Sequence, residues 1–188
     1  MNLVLRLIAI MIRAFRADKF GIWATSELDL SVWPTDVGGD GILKHERLHS
    51  YADLGTLDYL VRSGILRALR ANDWSPIVIS KEFRALTDIR RGDRLVFKTR
   101  LIGWREHYSC LHYEIMRDGA LVAEGHLIGR FVAMPGKTHP TVHRVAIETG
   151  FPDAASPALS PRILGIMDRV EAFRARAKRA PLPLEAGA

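Results

Sequence analysis

The fold is decided by residues 44–71, KHERLHSYADLGTLDYLVRSGILRALRA. Apolar residues such as Leu48 and Ala52 recur at helical spacing, which predicts one long helix with a buried side. Gly55 is a weak helix former in the middle of this run, so we expect another part of the backbone to approach it closely. Ser63-Gly64 marks the point at which the run would divide into two helices.

Strand patterns flank this helix on both sides. Alternating polar and apolar residues predict a strand at 27–33, and Pro34 ends it. After the helix, four more strands are predicted as a meander joined by glycine-containing turns, at 77–83, 95–102, 107–116 and 121–132. One long helix against one antiparallel sheet is an α+β arrangement. Because such a sheet leaves an edge strand unpaired, we expect a homodimer.

The two ends of the chain add further helices to this plan. We expect an N-terminal amphipathic helix over 1–20, a main domain over 21–150, and a C-terminal helix and tail over 151–188. Within the last part of the chain, 135–161 has a loop composition. The segment 162–179 is then predicted to be a basic amphipathic helix, followed by a disordered tail at 181–188.

The N-terminal segment Leu3–Arg13 is strongly apolar, but Arg6 interrupts it and it is about half the length that a membrane-spanning helix needs. Its apolar residues lie near one helical face. This pattern favours an amphipathic helix that packs on its own domain, and contact of residues 1–19 with a membrane surface is a second interpretation. A cleaved or spanning segment is a third.

The composition narrows the class of protein. The 188 residues suffice for one domain with a full core, and 48% of them are hydrophobic, which is typical of a folded chain. The single cysteine, Cys110, excludes an internal disulfide framework and fits a cytoplasmic protein. The net charge of +6 accompanies no nucleic-acid-binding motif, so we expect no nucleic-acid partner.

Several short motifs in order resemble one known family. They are Val32-Trp33-Pro34-Thr35-Asp36, Ala52-Asp53-Leu54-Gly55, Trp74-Ser75-Pro76-Ile77-Val78, Thr99-Arg100-Leu101-Ile102-Gly103-Trp104 and the hairpin from Met116 to Glu124. Over roughly residues 1–135 the chain is similar to the thioesterase-like branch of the hotdog superfamily, which includes 4-hydroxybenzoyl-CoA and acyl-CoA thioesterases.

That resemblance implies a hotdog fold, in which an antiparallel sheet wraps a long central helix. It also implies a homodimer or a dimer of dimers, a ligand tunnel at the dimer interface, and hydrolysis of a fatty or aryl acyl-CoA thioester. The ligand would be acyl-CoA or an acyl carrier, and no metal or redox cofactor is expected.

Two departures from the family pattern affect the chemistry. The family typically has a second acidic residue two positions after Asp36, where it serves as nucleophile or base, and this chain has Gly38 there. The family's His-Met-Asn-Asn stretch is replaced by Ile42-Leu43-Lys44-His45. Asp40 is the nearest carboxylate that could substitute, two positions later.

Thioester hydrolysis needs a carboxylate that attacks or activates water, and donors for the developing oxyanion. The candidate carboxylates are Asp36, Asp40 and Asp53, although the first two also suit turn or cap positions. His45, His49 and Asp53 are spaced by one helical turn, so they share a helix face. A base oriented by a carboxylate has this pattern, and so do an exposed polar stripe and a weak metal site.

Candidate binding residues come from the glycine loop and the sheet. The backbone amides of Gly39, Gly41 and Ile42 suit the thioester oxygen. Cationic side chains suit the CoA phosphates. The chief candidates are Arg90, Arg91 and Arg100, and Arg84 and Lys98 are further candidates by their position in the predicted sheet. Each of these residues also fits a solvated surface. Two hypotheses follow: a thioesterase, or a hotdog protein that binds an acyl chain or carrier without hydrolysing it, as Gly38 suggests.

Overall fold

The computed structural model describes residues 2–179, and the predicted tail at 181–188 lies outside them. The chain forms two compact units that divide between Pro157 and Ala158. The helices are α1 (Asn2–Arg16), α2 (His45–Arg62), α3 (Ile65–Ala71), α4 (Val142–Glu148) and α5 (Pro161–Arg179). The strands are β1 (Ser26–Ser31), β2 (Trp74–Ala85), β3 (Arg94–Arg105), β4 (Tyr108–Arg117) and β5 (Ala120–Ala133). Unit 1 holds everything except α5.

The sheet has the strand order β1-β3-β4-β5-β2, and all neighbouring strands are antiparallel. The central helix α2 packs against β3, β1 and β2, with Leu48, Leu54 and Tyr59 buried in the core that it shares with the sheet. A long helix enclosed by an antiparallel sheet confirms the predicted α+β hotdog fold. The predicted four-strand meander is wrong in one respect, because β2 pairs with β5 at the far edge and not with β3.

The long helical run divides in two, and the segment 135–161 contains a short helix. The helix divides where Ser63-Gly64 suggested, because Gly64 takes a left-handed conformation with φ 82° that ends α2 and begins α3. The predicted loop at 135–161 is wrong over α4. The side chain of Thr141 accepts a hydrogen bond from the amide of Arg144 and so caps α4, and Val145 and neighbours are buried.

The N-terminal helix α1 packs on its own domain through one face. Ile10 and Ala14 are buried, and Arg6 is 9% exposed despite its charge. None of the helices in residues 2–179 is both long enough and apolar enough to cross a membrane.

Gly55 lies where α2 approaches β3 most closely. A β-carbon added at Gly55 would lie 2.8 Å from both Phe97 Cδ1 and Thr99 Oγ1, which confirms that this position needs a glycine for close packing. We expect Gly55→Ala to lower the free energy of unfolding by about 1–3 kcal/mol, because overpacking outweighs the better helix propensity of alanine. Chemical denaturation measures this effect. Gly39→Ala, where the added carbon meets nothing within 4 Å, is the control and should be nearly neutral; a neutral Gly55→Ala would contradict the packing argument.

Candidate active site

The three polar residues predicted to share a face of α2 lie together beside the edge strand β2. The rings of His45 and His49 are 5.5 Å apart, and His49 also contacts the Phe83 ring at 5.4 Å. Asp53, one turn further along, forms an ion pair with Lys81 of β2. The Lys81 ammonium also donates a hydrogen bond of 3.2 Å to the backbone oxygen of His49. Lys81 therefore connects α2 to the sheet edge.

His49 is held in its neutral form at physiological pH. Burial lowers its pKa from the ordinary value of 6.5, and the charges of Lys81 and His45 lower it further, against the opposing effect of Asp53. A neutral imidazole can donate through one ring nitrogen and accept through the other. His49 can therefore take part in proton transfer next to the Asp53 carboxylate.

An apolar cavity of about 130 Å³ begins where this polar stripe ends. Thr56, one turn after Asp53, lines the cavity, and further along α2 so do Tyr59 and Leu60. The opposite wall is the inner face of the sheet, and α4 closes one side. The cavity reaches the surface at β2, because Ile77 and Val78 line it and are also exposed. Asp53 lies one helical turn before Thr56 on α2, and Lys81 lies three residues after Val78 on β2.

A partly buried pair of hydroxyl groups connects α2 to β4, one helical turn after Asp53. Thr56 donates a hydrogen bond of 2.7 Å to the backbone oxygen of Ala52, so the Tyr113 hydroxyl, 2.6 Å away, must be the donor to Thr56. Burial raises the pKa of Tyr113 well above its ordinary value, so its proton stays in place. This pair fixes the backbone and side chains at the cavity entrance.

The glycine loop brings the Asp40 carboxylate against the backbone of Gly38. A β-carbon built on Gly38 would lie only 2.8 Å from Asp40 Oδ1, so a larger side chain at position 38 would displace Asp40. The same oxygen accepts a hydrogen bond of 3.0 Å from the amide of Ile42. Asp40 therefore places a carboxylate oxygen beside Gly38, but uses that oxygen to close its own turn.

The amides predicted to bind the thioester oxygen differ in availability. The Gly41 amide donates to the backbone oxygen of Gly38, and the Ile42 amide to Asp40. Among the described residues, the amides of Gly39 and Asp40 have no acceptor. The side chain of Lys44 does not cap the N-terminus of α2, and in the first turn the Arg47 amide donates to the backbone oxygen of Lys44 at 2.8 Å. The loop can offer donors, but Gly41 and Ile42 are not free to do so.

The three candidate arginines fall into two groups. Arg90 forms a β-bridge with Ile42, and the Arg91 amide donates to the backbone oxygen of Gly41 at 3.2 Å, so both lie beside the glycine loop with exposed side chains. Arg100 pairs with His112 across β3 and β4 on the face of the sheet that points away from α2. The structure therefore places Arg90 and Arg91 beside the glycine loop and leaves Arg100 on the outer face of the sheet.

Asp36 is engaged in contacts that hold the fold together. Its Oδ2 atom accepts hydrogen bonds of 2.9 Å from Arg6, from the Tyr51 hydroxyl and from the amide of Trp33. The Arg6 guanidinium also lies 4.3 Å from the Trp33 ring centroid. Asp36 is 3% exposed, so this carboxylate has little access to a ligand.

Sequence reasoning missed Lys81, Thr56 and Tyr113. Thr56 could have been found, because it continues the one-turn spacing from Asp53, whereas Lys81 and Tyr113 come from strands whose pairing fixes their position. Cys110 is buried, and burial raises its thiol pKa to about 12, so it is not an available nucleophile. Within residues 2–179, no three His, Cys, Asp or Glu side chains are grouped to hold a metal ion.

A long helix wrapped by a five-stranded antiparallel sheet, with an apolar cavity between them, defines a hotdog-fold protein. The sequence profile of the thioesterase-like superfamily matches residues 32–183, and the chain belongs to that family. No curated protein sequence is significantly similar to this chain.

Solved structures with the same fold are distant in sequence. A 1,4-dihydroxy-2-naphthoyl-CoA thioesterase from Synechocystis is 17% identical with a TM-score of 0.58, and the match covers 71% of this chain and 100% of that one. The 4-hydroxybenzoyl-CoA thioesterase from Pseudomonas sp. strain CBS-3 is 17% identical with a TM-score of 0.59, covering 66% and 98%. A probable thioesterase from Escherichia coli is 12% identical with a TM-score of 0.61, covering 67% and 96%. At these identities the similarity establishes the fold alone.

Proposed function

We propose that this protein is an acyl-CoA thioesterase in which Asp53 activates the attacking water. The observation that carries the proposal is the position of Asp53, exposed one turn before Thr56, where the apolar cavity begins. The similar structures from Synechocystis and Pseudomonas are CoA thioesterases, which supports the reaction class. An acyl group in the cavity would leave its thioester carbonyl near Asp53.

The reaction then follows from the groups around that carbonyl. Asp53 accepts a proton from water, and the resulting hydroxide attacks the thioester carbon. The Lys81 ammonium, already in contact with Asp53, holds the carboxylate in place and lies near the charge that develops on the oxygen. Cleavage of the carbon–sulfur bond releases CoA thiolate and the free acid. The thiolate takes up a proton, for which neutral His49 is a relay.

The cavity favours an acyl group that is apolar and short. Its wall is hydrophobic except for Thr56, Ser109 and Arg130. An apolar cavity of roughly 150 Å³ accommodates benzene, so one of about 130 Å³ suits an acyl portion of about six carbon atoms or a single ring. The CoA portion would extend outward over the protein surface, where exposed Arg90 and Arg91 beside the glycine loop can contact its phosphates.

The dimer in this proposal forms through β2. This strand pairs with β5 on one side only, and exposed Ile77 and Val78 lie on it near the cavity opening. Antiparallel pairing of β2 with its copy about an axis near Ile79 would set residues 76–78 of one protomer beside 80–82 of the other. The partner's Asp53 would then approach the cavity opening as well. Light scattering on the purified protein tests the dimer, and a monomer would contradict it.

A second function rests on a separate observation. Gly38 removes the family's usual acid, Asp40 is partly committed to its own turn, and Asp53 is paired with Lys81. A protein that retains an acyl ligand without turnover would tolerate all three.

An assay of hydrolysis over a panel of acyl-CoA chain lengths, with release of the free CoA thiol as the measured signal, tests the proposal. Turnover supports the thioesterase, whereas tight binding of acyl-CoA without thiol release identifies the binding protein.

Filling the cavity should shorten the accepted acyl group. Ala146 of α4 lines the cavity, and Ala146→Leu adds three carbon atoms at that wall. Because one methylene in an apolar pocket changes specificity by about 10–200-fold, we expect kcat/KM for hexanoyl-CoA to fall at least tenfold while that for acetyl-CoA changes little. The matched control is Ala71→Leu, at an exposed helical position in α3. Equal losses on both substrates would show that the acyl group binds elsewhere.

A further inference from the structure

We propose that α1 docks this protein on an anionic membrane surface through an exposed apolar stripe. The stripe consists of Leu5, Ile8, Ile12 and Phe15, which recur at intervals of three and four residues and therefore lie on one side of the helix. Each of these side chains is between 48% and 59% exposed. Large apolar residues grouped on one side of a surface helix indicate a binding surface, because isolated ones are ordinary but contiguous ones are not.

The stripe lies opposite the face that holds α1 on its domain. At 100° per residue, the buried positions Arg6, Ile10 and Ala14 centre about half a turn away from Ile8 and Ile12. Arg6 fixes that inner face through its ion pair with Asp36 and its hydrogen bond of 2.9 Å to the backbone oxygen of Ser31. The helix is therefore already folded and anchored when it presents the stripe to its surroundings, and docking requires no unfolding.

The charges around the stripe select the occupant. Arg13 and Arg16 in the last turn of α1 and Lys19 just beyond it are exposed; α1 itself contains no acidic residue, and Asp18 is the single acidic residue between Arg13 and Lys19. The Lys19 ammonium lies 5.8 Å from the Phe15 ring centroid, directly beside the apolar surface. An apolar helix face bordered by cations is the arrangement that lies in the interface of an anionic bilayer.

A second copy of this chain fits the stripe less well. Pairing two α1 helices through the same face would bring the cations at its border together, without acidic residues on α1 to neutralise them. A single helix of 15 residues also offers a strip only about 22 Å long, which is small for a stable protein interface. An anionic membrane suits both the apolar stripe and the cations at its border, since it supplies an apolar phase and a negative surface.

Vesicle binding by the full-length protein tests this assignment. Wild-type protein should bind phosphatidylcholine vesicles that contain phosphatidylglycerol, and bind pure phosphatidylcholine vesicles more weakly. We expect the triple variant Ile8→Gln, Ile12→Gln, Phe15→Gln to lose at least roughly tenfold in partitioning, because it removes three large apolar groups from the membrane contact. Since these side chains are exposed, its circular dichroism and thermal unfolding should match those of the wild type.

Two comparisons make the result specific. Leu86→Gln, Met134→Gln, Ile147→Gln removes three other exposed apolar side chains and should leave vesicle binding unchanged. The double variant Arg16→Glu, Lys19→Glu keeps the stripe and should abolish the preference for anionic vesicles.

Failure of the wild type to bind either kind of vesicle overturns the proposal. An equal loss of vesicle binding in the control triple variant overturns it as well. A wild-type dimer that the stripe variant converts to monomer, without vesicle binding, would instead assign the stripe to a second copy. Hydrolysis of acyl-CoA is measured separately, so the two proposals can fail independently.

Discussion

Replacing Asp53 by asparagine is expected to reduce kcat for acyl-CoA hydrolysis by about 10²–10⁴-fold, the usual contribution of a positioned general base. Asparagine keeps the size of the side chain but cannot accept a proton from water. The Asp53 carboxylate is 63% exposed and its ion pair with Lys81 is at the surface, so the variant should unfold at nearly the same denaturant concentration as the wild type. KM should change little, because the acyl cavity is intact. Release of CoA thiol under saturating hexanoyl-CoA measures the effect.

Two other carboxylates make this result interpretable. Asp29→Asn, at an exposed position of β1 remote from the cavity, is the matched control and should keep full activity. Asp40→Asn tests the loop carboxylate that lies beside Gly38, and in our proposal it lowers kcat less than Asp53→Asn does. The reverse order, with activity lost in Asp40→Asn and retained in Asp53→Asn, would move the base to the glycine loop. Full activity in both variants would exclude a carboxylate base at either position.

The residues on α2 were predictable because helical spacing is a local property. His45, His49 and Asp53 share a face in any α-helix, whatever packs around it, and the structure has them together. The contact of Lys81 with Asp53 was not predictable, because the two residues are 28 positions apart in sequence and meet only if β2 is the edge strand beside α2. The strand order itself also escaped prediction. Strand patterns show which residues form strands but not which strand each one pairs with, and the long helix α2 carries the chain from β1 at one edge to β2 at the other.

Asp36 shows the opposite limit of sequence reasoning. Its place after Pro34, at the family's first acidic position, allowed both a catalytic role and a role in the turn. The deciding contact is Arg6, 30 residues earlier in a helix whose own pattern gave no reason to place a cation inside. A buried charge needs a partner of opposite sign, so the burial of Arg6 and of Asp36 is understood only when the structure shows that they contact each other. This pair, and not periodicity, fixes α1 and the start of the glycine loop relative to α2.

Asp36→Ala should therefore lower the free energy of unfolding by about 3–5 kcal/mol, because it leaves the Arg6 guanidinium buried without its counter-ion and removes the acceptor of the Tyr51 hydroxyl. Chemical denaturation measures the loss, and Asp40→Ala, an exposed aspartate four residues later, should change stability by less than about 1 kcal/mol. The double variant Arg6→Met, Asp36→Leu removes both charges and should recover much of the lost stability, since an apolar pair can replace a buried ion pair. If Asp36→Ala remained as stable as the wild type, the structural role of Asp36 would be wrong. If that variant also lost turnover, Asp36 would instead be a catalytic residue.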